Sequence, residues 1–229
     1  MVAGEVEVMS NSSLLDRFAV LDSAAVSDAL DHLGLPAGVG GIRPVWGPAA
    51  IVGFAVTVGL EPRTDGPTGT HIITTAVESA DGQSVIVVDN QGRTDVSCWG
   101  GILSLGAGLR GVRGVVADGM CRDVAEAREL GFPVFSRGSI PATARGRLQQ
   151  RSVGEPVSIA GLTVEQGDVI VADETGLAVV PRNRAEEVAR IATAIVARER
   201  AIADEVRAGV PLSAAMRDAR LAGETEPDR

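Results

Sequence analysis

The chain contains no lysine, since all 21 of its basic residues are arginine. A Schiff-base aldolase, a pyridoxal-phosphate enzyme and a Walker A phosphate loop each require a lysine, so these classes are excluded. Tyrosine is absent as well, and aromatic residues make up only 3 % of the sequence. Few side chains are therefore available for stacking on single-stranded bases, and Val, Ile, Leu and Ala must fill the core.

Basic residues are outnumbered, because 30 acidic residues against 21 arginines leave a net charge of −9. This balance argues against a general nucleic-acid or anionic-membrane surface. No apolar run reaches the roughly 18–20 residues that span a bilayer, and no N-terminal signal pattern is present. We therefore expect a soluble, cytoplasmic protein. Cys98 and Cys121 are too few for a disulfide framework and are interpreted as small packing residues.

The order of the segments predicts a single α/β domain over residues 13–210, between a flexible N-terminus (1–12) and a loose tail (211–229). Apolar β-branched runs alternate with helical patterns through short links, which is typical of βαβ units in a mixed sheet. Antiparallel hairpins follow these units. The predicted strands include 50–60, 84–90, 115–117 and 133–135, and the predicted helices are 23–34 with Ser23 as its N-cap, 71–80 with Thr70 as its cap, and 183–208.

The most informative stretch is WGGILSLGAGLRGVRGVVADGMCRD, residues 99–123. It predicts a glycine-rich helix start, a helix, a buried strand, a turn, and the pair Arg122–Asp123 where the next helix begins. Ligands of α/β proteins bind where strands hand over to helices in this way. A guanidinium there can bind a carboxylate, and one carboxylate is enough to hold a hydrated magnesium ion. In the structural alternative, Asp123 is an N-cap in a capping box with Glu126, and Arg122 is a surface residue.

Two other features have competing interpretations. GAGLRG (106–111) matches the G-x-G-x-x-G pattern, but a helix precedes it and a strand follows it, the reverse of a dinucleotide-binding site. His71 follows a glycine-rich loop of the kind where active sites collect, although a polar surface residue fits that place as well. His32 falls in the last turn of a helix, where it interacts favourably with the helix dipole.

The run from WGGIL through DGMCRDVAEARELGFPVFSRG, with SDALDHLG before it and GDVIVADETGLAVVP after it, resembles a known family. That family includes the regulator of ribonuclease activity A and the 4-hydroxy-4-methyl-2-oxoglutarate/4-carboxy-4-hydroxy-2-oxoadipate aldolases; some members were once mislabelled demethylmenaquinone methyltransferases. The resemblance implies an α-β-β-α sandwich of the swivelling phosphohistidine-domain type, with a mixed sheet and a C-terminal helix. It also implies a homotrimer or homohexamer with active sites between subunits.

The chemistry that the resemblance implies is aldol cleavage or oxaloacetate decarboxylation by a class II-type, metal-dependent lyase that yields pyruvate as its enolate. Asp123 would hold Mg²⁺ or Mn²⁺, joined by Glu199 from a neighbour's terminal helix, and Arg122 would bind substrate and stabilise the enolate. An enolate requires a Lewis acid and a cation, and a lysine-free chain must use the metal route. The implied binding site for the pyruvate carboxylate is the helix start at Gly100, Gly101, Ile102 and Leu103.

One departure from the family pattern concerns the proton-transferring acid. Catalytic members carry an Asp or Glu that twenty residues separate from the Arg of the pair, at the position that Gly101 occupies here. His71, Asp95 and Glu199 are the replacement candidates. The predicted function is a lyase acting on a small anionic 2-oxo acid, with no nucleic-acid or membrane partner. The alternatives are a non-catalytic binding protein of the ribonuclease-regulator kind, or a different reaction on the same enolate-stabilising site.

The connection between residues 136 and 156 is long and basic. Its arginines suit a multiply anionic substrate, and salt bridges across a subunit interface are an equally good explanation.

Overall fold

The computed structural model describes residues 10–64 and 71–217. Its helices are α1 (Asn11–Phe18), α2 (Ser23–His32), α3 (Thr74–Ser79), α4 (Gly101–Leu109), α5 (Val124–Glu129), α6 (Ala185–Arg207) and α7 (Leu212–Ala215). Its strands are β1 (Arg43–Pro44), β2 (Ile51–Pro62), β3 (Ser84–Trp99), β4 (Gly114–Cys121), β5 (Val134–Ser139), β6 (Leu148–Val153), β7 (Val157–Ile159), β8 (Leu162–Val164), β9 (Val169–Ala172) and β10 (Leu177–Val180).

The strands form a mixed sheet in the order β1-β5-β4-β3-β2-β9-β10, with β6 paired to β2. Strands β2 to β5 are parallel to one another, whereas β9 runs antiparallel to both β2 and β10. This arrangement confirms the predicted change from βαβ units to antiparallel hairpins. Strands β7 and β8 form a separate hairpin. Its turn residues Ala160 and Gly161 have φ of 50° and 90°, as a two-residue turn requires.

Buried apolar side chains separate the molecule into layers. One cluster packs α3, α4 and α5 on one outer face of the sheet, and includes Val88, Trp99, Leu103 and Phe132. A second packs α1, α2 and α6 on β9 and β10, and includes Phe18, Leu30 and Val180. A third lies between the two halves of the sheet and the β7–β8 hairpin, and includes Val87, Phe135, Ile170 and Leu177. The order of helices, sheet, sheet and helices is the predicted α-β-β-α sandwich.

Strand β3 is longer than the sequence predicts, because it continues from residue 90 to Trp99. Gln91 and Gly92 have φ of 57° and 67°, and the pairing register with β4 shifts three times beyond Asp89. These irregularities bend the strand without ending it. The polar residues of this stretch predict a loop, but pairing with β4 keeps it in the sheet. As a result, Trp99 lies opposite Cys121, directly before α4.

Other element boundaries differ by a few residues. Helix α3 begins at Thr74 rather than at His71, and its predicted cap Thr70 lies outside the described residues. Helix α1 begins inside the predicted flexible segment, and α7 lies in the predicted tail. The terminal helix is confirmed, with its first residues in a 3₁₀ turn. Within residues 10–64 and 71–217, helices long and apolar enough to cross a membrane are absent.

Asp173 connects α2 to the β9–β10 turn. The N-cap of α2 is Asp22 rather than the predicted Ser23. The backbone N–H and the hydroxyl of Ser23 both donate to Asp173, at 2.7 and 2.8 Å. The amides of Thr175 and Gly176 donate to the same carboxylate. Burial raises the pKa of Asp173, but these hydrogen bonds outweigh it and leave the pKa below the usual 3.8. Asp173 therefore stabilises the fold above its unfolded pKa, and this contribution is lost as the pH falls through the folded pKa.

We expect Asp173→Asn to lower the free energy of unfolding by about 1–3 kcal/mol at pH 7, because an amide oxygen is a weaker acceptor for four donors. The deficit should shrink in acid, once the pH has fallen through the lowered pKa of Asp173 and the wild-type carboxylate is protonated. Urea denaturation at pH 7 and at an acid pH below that pKa measures the difference. The control is Asp204→Asn, on the exposed Asp204–Arg207 pair. An Asp173→Asn deficit of equal size at both pH values would contradict this explanation.

Candidate functional site

A cavity of about 330 Å³ lies at the two junctions where β3 is followed by α4 and β4 by α5. Its size is in the range of small-molecule sites. The lining comes from the end of β3, the start of α4, the β4–α5 junction, and the segments before α3 and β6. The lining residues are His71, Ile72, Thr74, Ser97, Cys98, Trp99, Gly100, Gly101, Ile102, Leu103, Arg122, Asp123, Thr143, Ala144 and Arg145.

Asp123 has a left-handed backbone conformation, with φ 57° and ψ 39°, which is uncommon for a residue other than glycine. Its carboxylate does not cap α5. Instead, Oδ2 accepts a hydrogen bond from the Gly101 N–H at 3.1 Å and lies 3.2 Å from Nε of Arg122. The capping-box interpretation is therefore wrong. The turn directs Asp123 across to α4, where the carboxylate is available for a ligand.

Helix α4 begins at the same point without a side-chain cap. A Cβ on Gly100 would lie 2.7 Å from Oδ2 of Asp123 and 3.3 Å from Cγ of Arg122, so glycine allows the Arg–Asp pair to pack against the helix start. First-turn amides, including those of Ile102 and Leu103, have no intrahelical acceptor and favour an anion. The predicted carboxylate-binding segment thus lies beside the predicted Arg–Asp pair.

Glu126 lies beside the helix start at Gly101, although it is not one of the cavity-lining residues, and the sequence analysis considered it only as a capping partner. A Cβ on Gly101 would overlap Oε2 of Glu126 and lie 2.6 Å from its Cδ. The Glu126 carboxylate therefore occupies the space in which a side chain at position 101 would begin. The sequence signal was its place in the first turn of α5, three residues after Asp123. The capping-box interpretation used that spacing for a different purpose.

Whether this site fits the implied divalent metal depends on its donor atoms. Groups of three or more His, Cys, Asp or Glu side chains able to hold a metal are absent from the described part of the chain. Mg²⁺ keeps several of its waters, however, and is commonly held by one or two carboxylates. Asp123 and Glu126 supply such a pair of hard oxygen donors at Gly100–Gly101. The site therefore fits a hydrated Mg²⁺ or Mn²⁺.

The three candidates for the missing acid fall in different places. His71 lines the cavity, and its Nδ1 lies 3.0 Å from the Ile72 carbonyl oxygen, which leaves Nε2 available. Asp95 does not line the cavity: its side chain is 66 % exposed and binds Arg93 through both oxygens, at 2.9 and 2.7 Å. Those bonds lower the pKa of Asp95, which opposes a role as a base. The structure therefore corrects the Asp95 prediction. Glu199 lies on α6 outside this cavity, and its contribution from a neighbouring subunit stays a prediction.

The apolar wall of the cavity is rigid. Trp99 stacks on Phe132 with ring centroids 6.0 Å apart, and its Nε1 donates to Oγ of Ser104 at 2.9 Å. These contacts fix the end of β3 against α4. Cys98 is fully buried, and burial raises the pKa of its thiol to about 12. Cys98 is therefore protonated at neutral pH and serves as a packing residue, not as a nucleophile.

Comparison with known proteins shows the family to which the chain belongs. The family model for RraA-like proteins, described as Aldolase/RraA, matches residues 23–179. The chain belongs to the RraA-like family. DlpA of Legionella pneumophila is 34 % identical over 214 residues, which cover 93 % of this chain and 34 % of DlpA. The RraA-like chain thus spans about a third of that relative. A Halalkalibacterium halodurans protein, provisionally named 4-hydroxy-4-methyl-2-oxoglutarate aldolase, is 31 % identical over 85 % of this chain and 90 % of its own length.

Solved structures show the same fold. An uncharacterized protein from Pseudomonas syringae pv. tomato is 35 % identical with a TM-score of 0.81, over 90 % of this chain and 98 % of that one. RraAS2 of Streptomyces coelicolor, described as an unusual member of the RNase ES inhibitor RraA family, is 26 % identical with a TM-score of 0.73, over 81 % and 93 %. The relatives of this RraA-like chain thus carry the names of an aldolase and of a ribonuclease inhibitor.

Proposed function

We propose that this RraA-like protein is a divalent-metal-dependent carbon–carbon lyase acting on small 2-oxo acids, by aldol cleavage of 4-hydroxy-2-oxo acids or by decarboxylation of oxaloacetate. The observation that carries the proposal is the meeting of Asp123, Glu126 and Arg122 at the start of α4. This combination offers oxygen donors for a cation beside a guanidinium for an anion. The name of the H. halodurans relative supports the same reaction class.

The substrate's position follows from the charges of the site. The carboxylate next to the 2-oxo group binds the first-turn amides of α4, around Ile102 and Leu103. Arg122 then faces the 2-oxo oxygen. When the bond beyond C3 breaks, its electron pair remains on C3 and is delocalised onto that oxygen. The Arg122 guanidinium stabilises this developing negative charge, as preorganised donors do in other active sites.

Asp123 and Glu126 would hold the Mg²⁺ or Mn²⁺ ion, which supplies Lewis-acid polarisation of the 2-oxo group when bound. Aldol cleavage also requires a base for the 4-hydroxyl proton, and His71, which lines the same cavity, would take that role. Decarboxylation removes no hydroxyl proton, so it depends less on His71. The stacked Trp99 and the buried Cys98 form a dry wall on which the carbon chain of the substrate rests.

We also propose that the protein is a homotrimer or homohexamer. Helix α4 presents Ile102, Leu105 and Leu109 to solvent, with 80 %, 43 % and 82 % of each residue exposed. Their spacing places them in one stripe along the helix. A second copy of the chain covering this stripe would stand beside the cavity, where its Glu199 would reach the metal-binding carboxylates.

A ribonuclease-regulator role is the second candidate, favoured by the likeness to RraAS2. The carboxylates of Asp123 and Glu126 beside Arg122 have no evident use in a purely binding protein. A third possibility is a different reaction on the same enolate-stabilising site, with a base other than His71.

The test is pyruvate release from oxaloacetate and from 4-hydroxy-4-methyl-2-oxoglutarate, measured on chelator-stripped protein with and without added Mg²⁺ or Mn²⁺. A metal-only blank corrects for spontaneous decarboxylation. We expect turnover only with metal, and at least about a hundredfold loss in Asp123→Asn. Asp95→Asn, an acid outside the cavity, is the control and should match wild type. The absence of both turnover and calorimetric metal binding in a well-folded protein would contradict the proposal.

A further inference from the structure

The connection between β5 and β6 places the guanidinium of Arg145 at the cavity. Arg145 lines the cavity, and its guanidinium makes no hydrogen bond or ion pair with residues 10–64 or 71–217; only its backbone N–H is engaged, with Oγ1 of Thr143. The other arginines of this connection have partners. They are Arg137 with Asp118, Arg151 with Asp89 at 3.3 Å, and Arg147 with the Thr143 carbonyl oxygen at 2.9 Å.

The backbone that carries Arg145 is fixed. Both the N–H and the hydroxyl of Ser97, near the end of β3, donate to the Ala142 carbonyl oxygen, at 2.9 and 2.6 Å. The Ile140 N–H donates to the Cys121 carbonyl oxygen at 2.8 Å. The segment is therefore anchored to both strands that end at the cavity. Arg145 extends from a positioned backbone, so little order must be gained there on binding.

The cavity has unequal charges at its two arginines. Arg122 lies 3.2 Å from the Asp123 carboxylate, which offsets its charge. Among residues 10–64 and 71–217, Arg145 has no such counter-ion, although its planar guanidinium is the group best suited to bind a carboxylate through two hydrogen bonds. A substrate with one carboxylate would bind the α4 amides and leave Arg145 unpaired. A substrate with a second carboxylate at its far end would engage both.

We propose that Arg145 determines specificity for dicarboxylic substrates by binding the carboxylate distal to the 2-oxo group; this inference rests on the proposed function. In aldol cleavage the C3–C4 bond breaks, the 4-hydroxyl loses its proton, and C4 leaves as a carbonyl that keeps the distal carboxylate. Arg145 therefore holds a group that does not react. In oxaloacetate the distal carboxylate itself leaves as neutral CO₂, so Arg145 stabilises the bound substrate more than the transition state.

Binding of unreactive ligands tests this role separately from catalysis. 2-Oxoglutarate and 2-oxopentanoate have equal chain lengths and differ in the distal carboxylate, and Trp99 in the cavity wall reports binding by fluorescence. We expect wild type to prefer 2-oxoglutarate, and Arg145→Gln to weaken that ligand about 10- to 100-fold. Binding of 2-oxopentanoate should stay within about twofold of wild type. Arg145→Lys should restore part of the preference, and Arg128→Gln, on α5 outside the cavity, is the matched control.

Turnover provides the second arm. For 4-hydroxy-4-methyl-2-oxoglutarate, Arg145→Gln should raise KM about 10- to 100-fold, whereas for 4-hydroxy-2-oxopentanoate, which lacks the distal carboxylate, it should leave KM unchanged. For oxaloacetate, kcat should be unchanged or higher. Equal binding of the two unreactive ligands by wild type, or equal weakening of both in Arg145→Gln, would overturn the inference. A dicarboxylate preference without any turnover would instead contradict the proposed lyase function and leave this inference standing.

Discussion

Gly101→Ala is expected to lower lyase turnover at least about a hundredfold, the cost typical of losing a charged active-site group. The reason is steric. An added Cβ would overlap the Glu126 carboxylate and lie 3.2 Å from Cβ of Glu126, so the Glu126 side chain must move away from Gly101. The protein should fold normally, because the atoms that must move belong to a flexible side chain. Steady-state pyruvate release and metal titration by calorimetry measure the two consequences, a lower kcat and weaker metal binding.

Two further variants make this prediction specific. Glu126→Gln should reproduce the loss, and the double variant should be no worse than either single one, because both changes remove the same carboxylate. Gly106→Ala, on the same helix as Gly101, is the matched control. Its added Cβ would meet only Val77 of α3, at 3.7 Å. Gly101→Ala activity equal to that of Gly106→Ala would show that Glu126 has no part in the reaction.

The double variant Leu105→Glu/Leu109→Glu is expected to convert the proposed trimer or hexamer to monomers of 23.5 kDa. Charged side chains on this stripe of α4 would have to be buried without partners in the proposed interface, at a cost that association cannot recover. Lyase turnover should fall about a hundredfold or more with the assembly, if a neighbour's Glu199 completes the site. Analytical ultracentrifugation and pyruvate release, on the same samples, measure both effects.

The control for the assembly variant is Val20→Glu, which changes a 72 % exposed apolar residue outside α4. It should leave mass and turnover unchanged. A Leu105→Glu/Leu109→Glu protein that keeps the wild-type mass would show that α4 is not the interface. A monomer with full turnover would show that the site is complete within one chain.

The parts of the fold that follow local rules could be predicted from the sequence. Hydrophobic periodicity predicts the terminal helix, and Ala160–Gly161 between two short apolar runs predicts the β7–β8 hairpin. The second half of β3 could not be predicted in this way. Its residues are polar and partly exposed, and they remain in the sheet because β4 supplies their backbone partners. Such pairing depends on residues distant in sequence, which a local pattern does not contain.

The residues of the candidate site differ in the same way, since some follow local rules and others depend on tertiary contacts. Arg122 and Asp123 could be found because they follow a buried strand at a helix start, which is a local signal. The contact of Glu126 with Gly101 was missed, because it depends on the packing of α5 beside α4 and on the absence of a side chain at position 101. Asp95 was favoured by its place in the chain, but Arg93, two residues away, binds its carboxylate. The spacing of residues along the chain predicts neither the position of Glu126 nor the pairing of Asp95.

The left-handed backbone at Asp123 has a consequence for how such a protein changes over time. Glycine and asparagine adopt this conformation at lower cost than aspartate. Selection for stability alone would therefore drive position 123 away from aspartate, although the left-handed turn is what brings the carboxylate to Gly101. The conformational preference of this turn and the requirement of the site are in opposition, a trade-off between stability and activity located at a single residue.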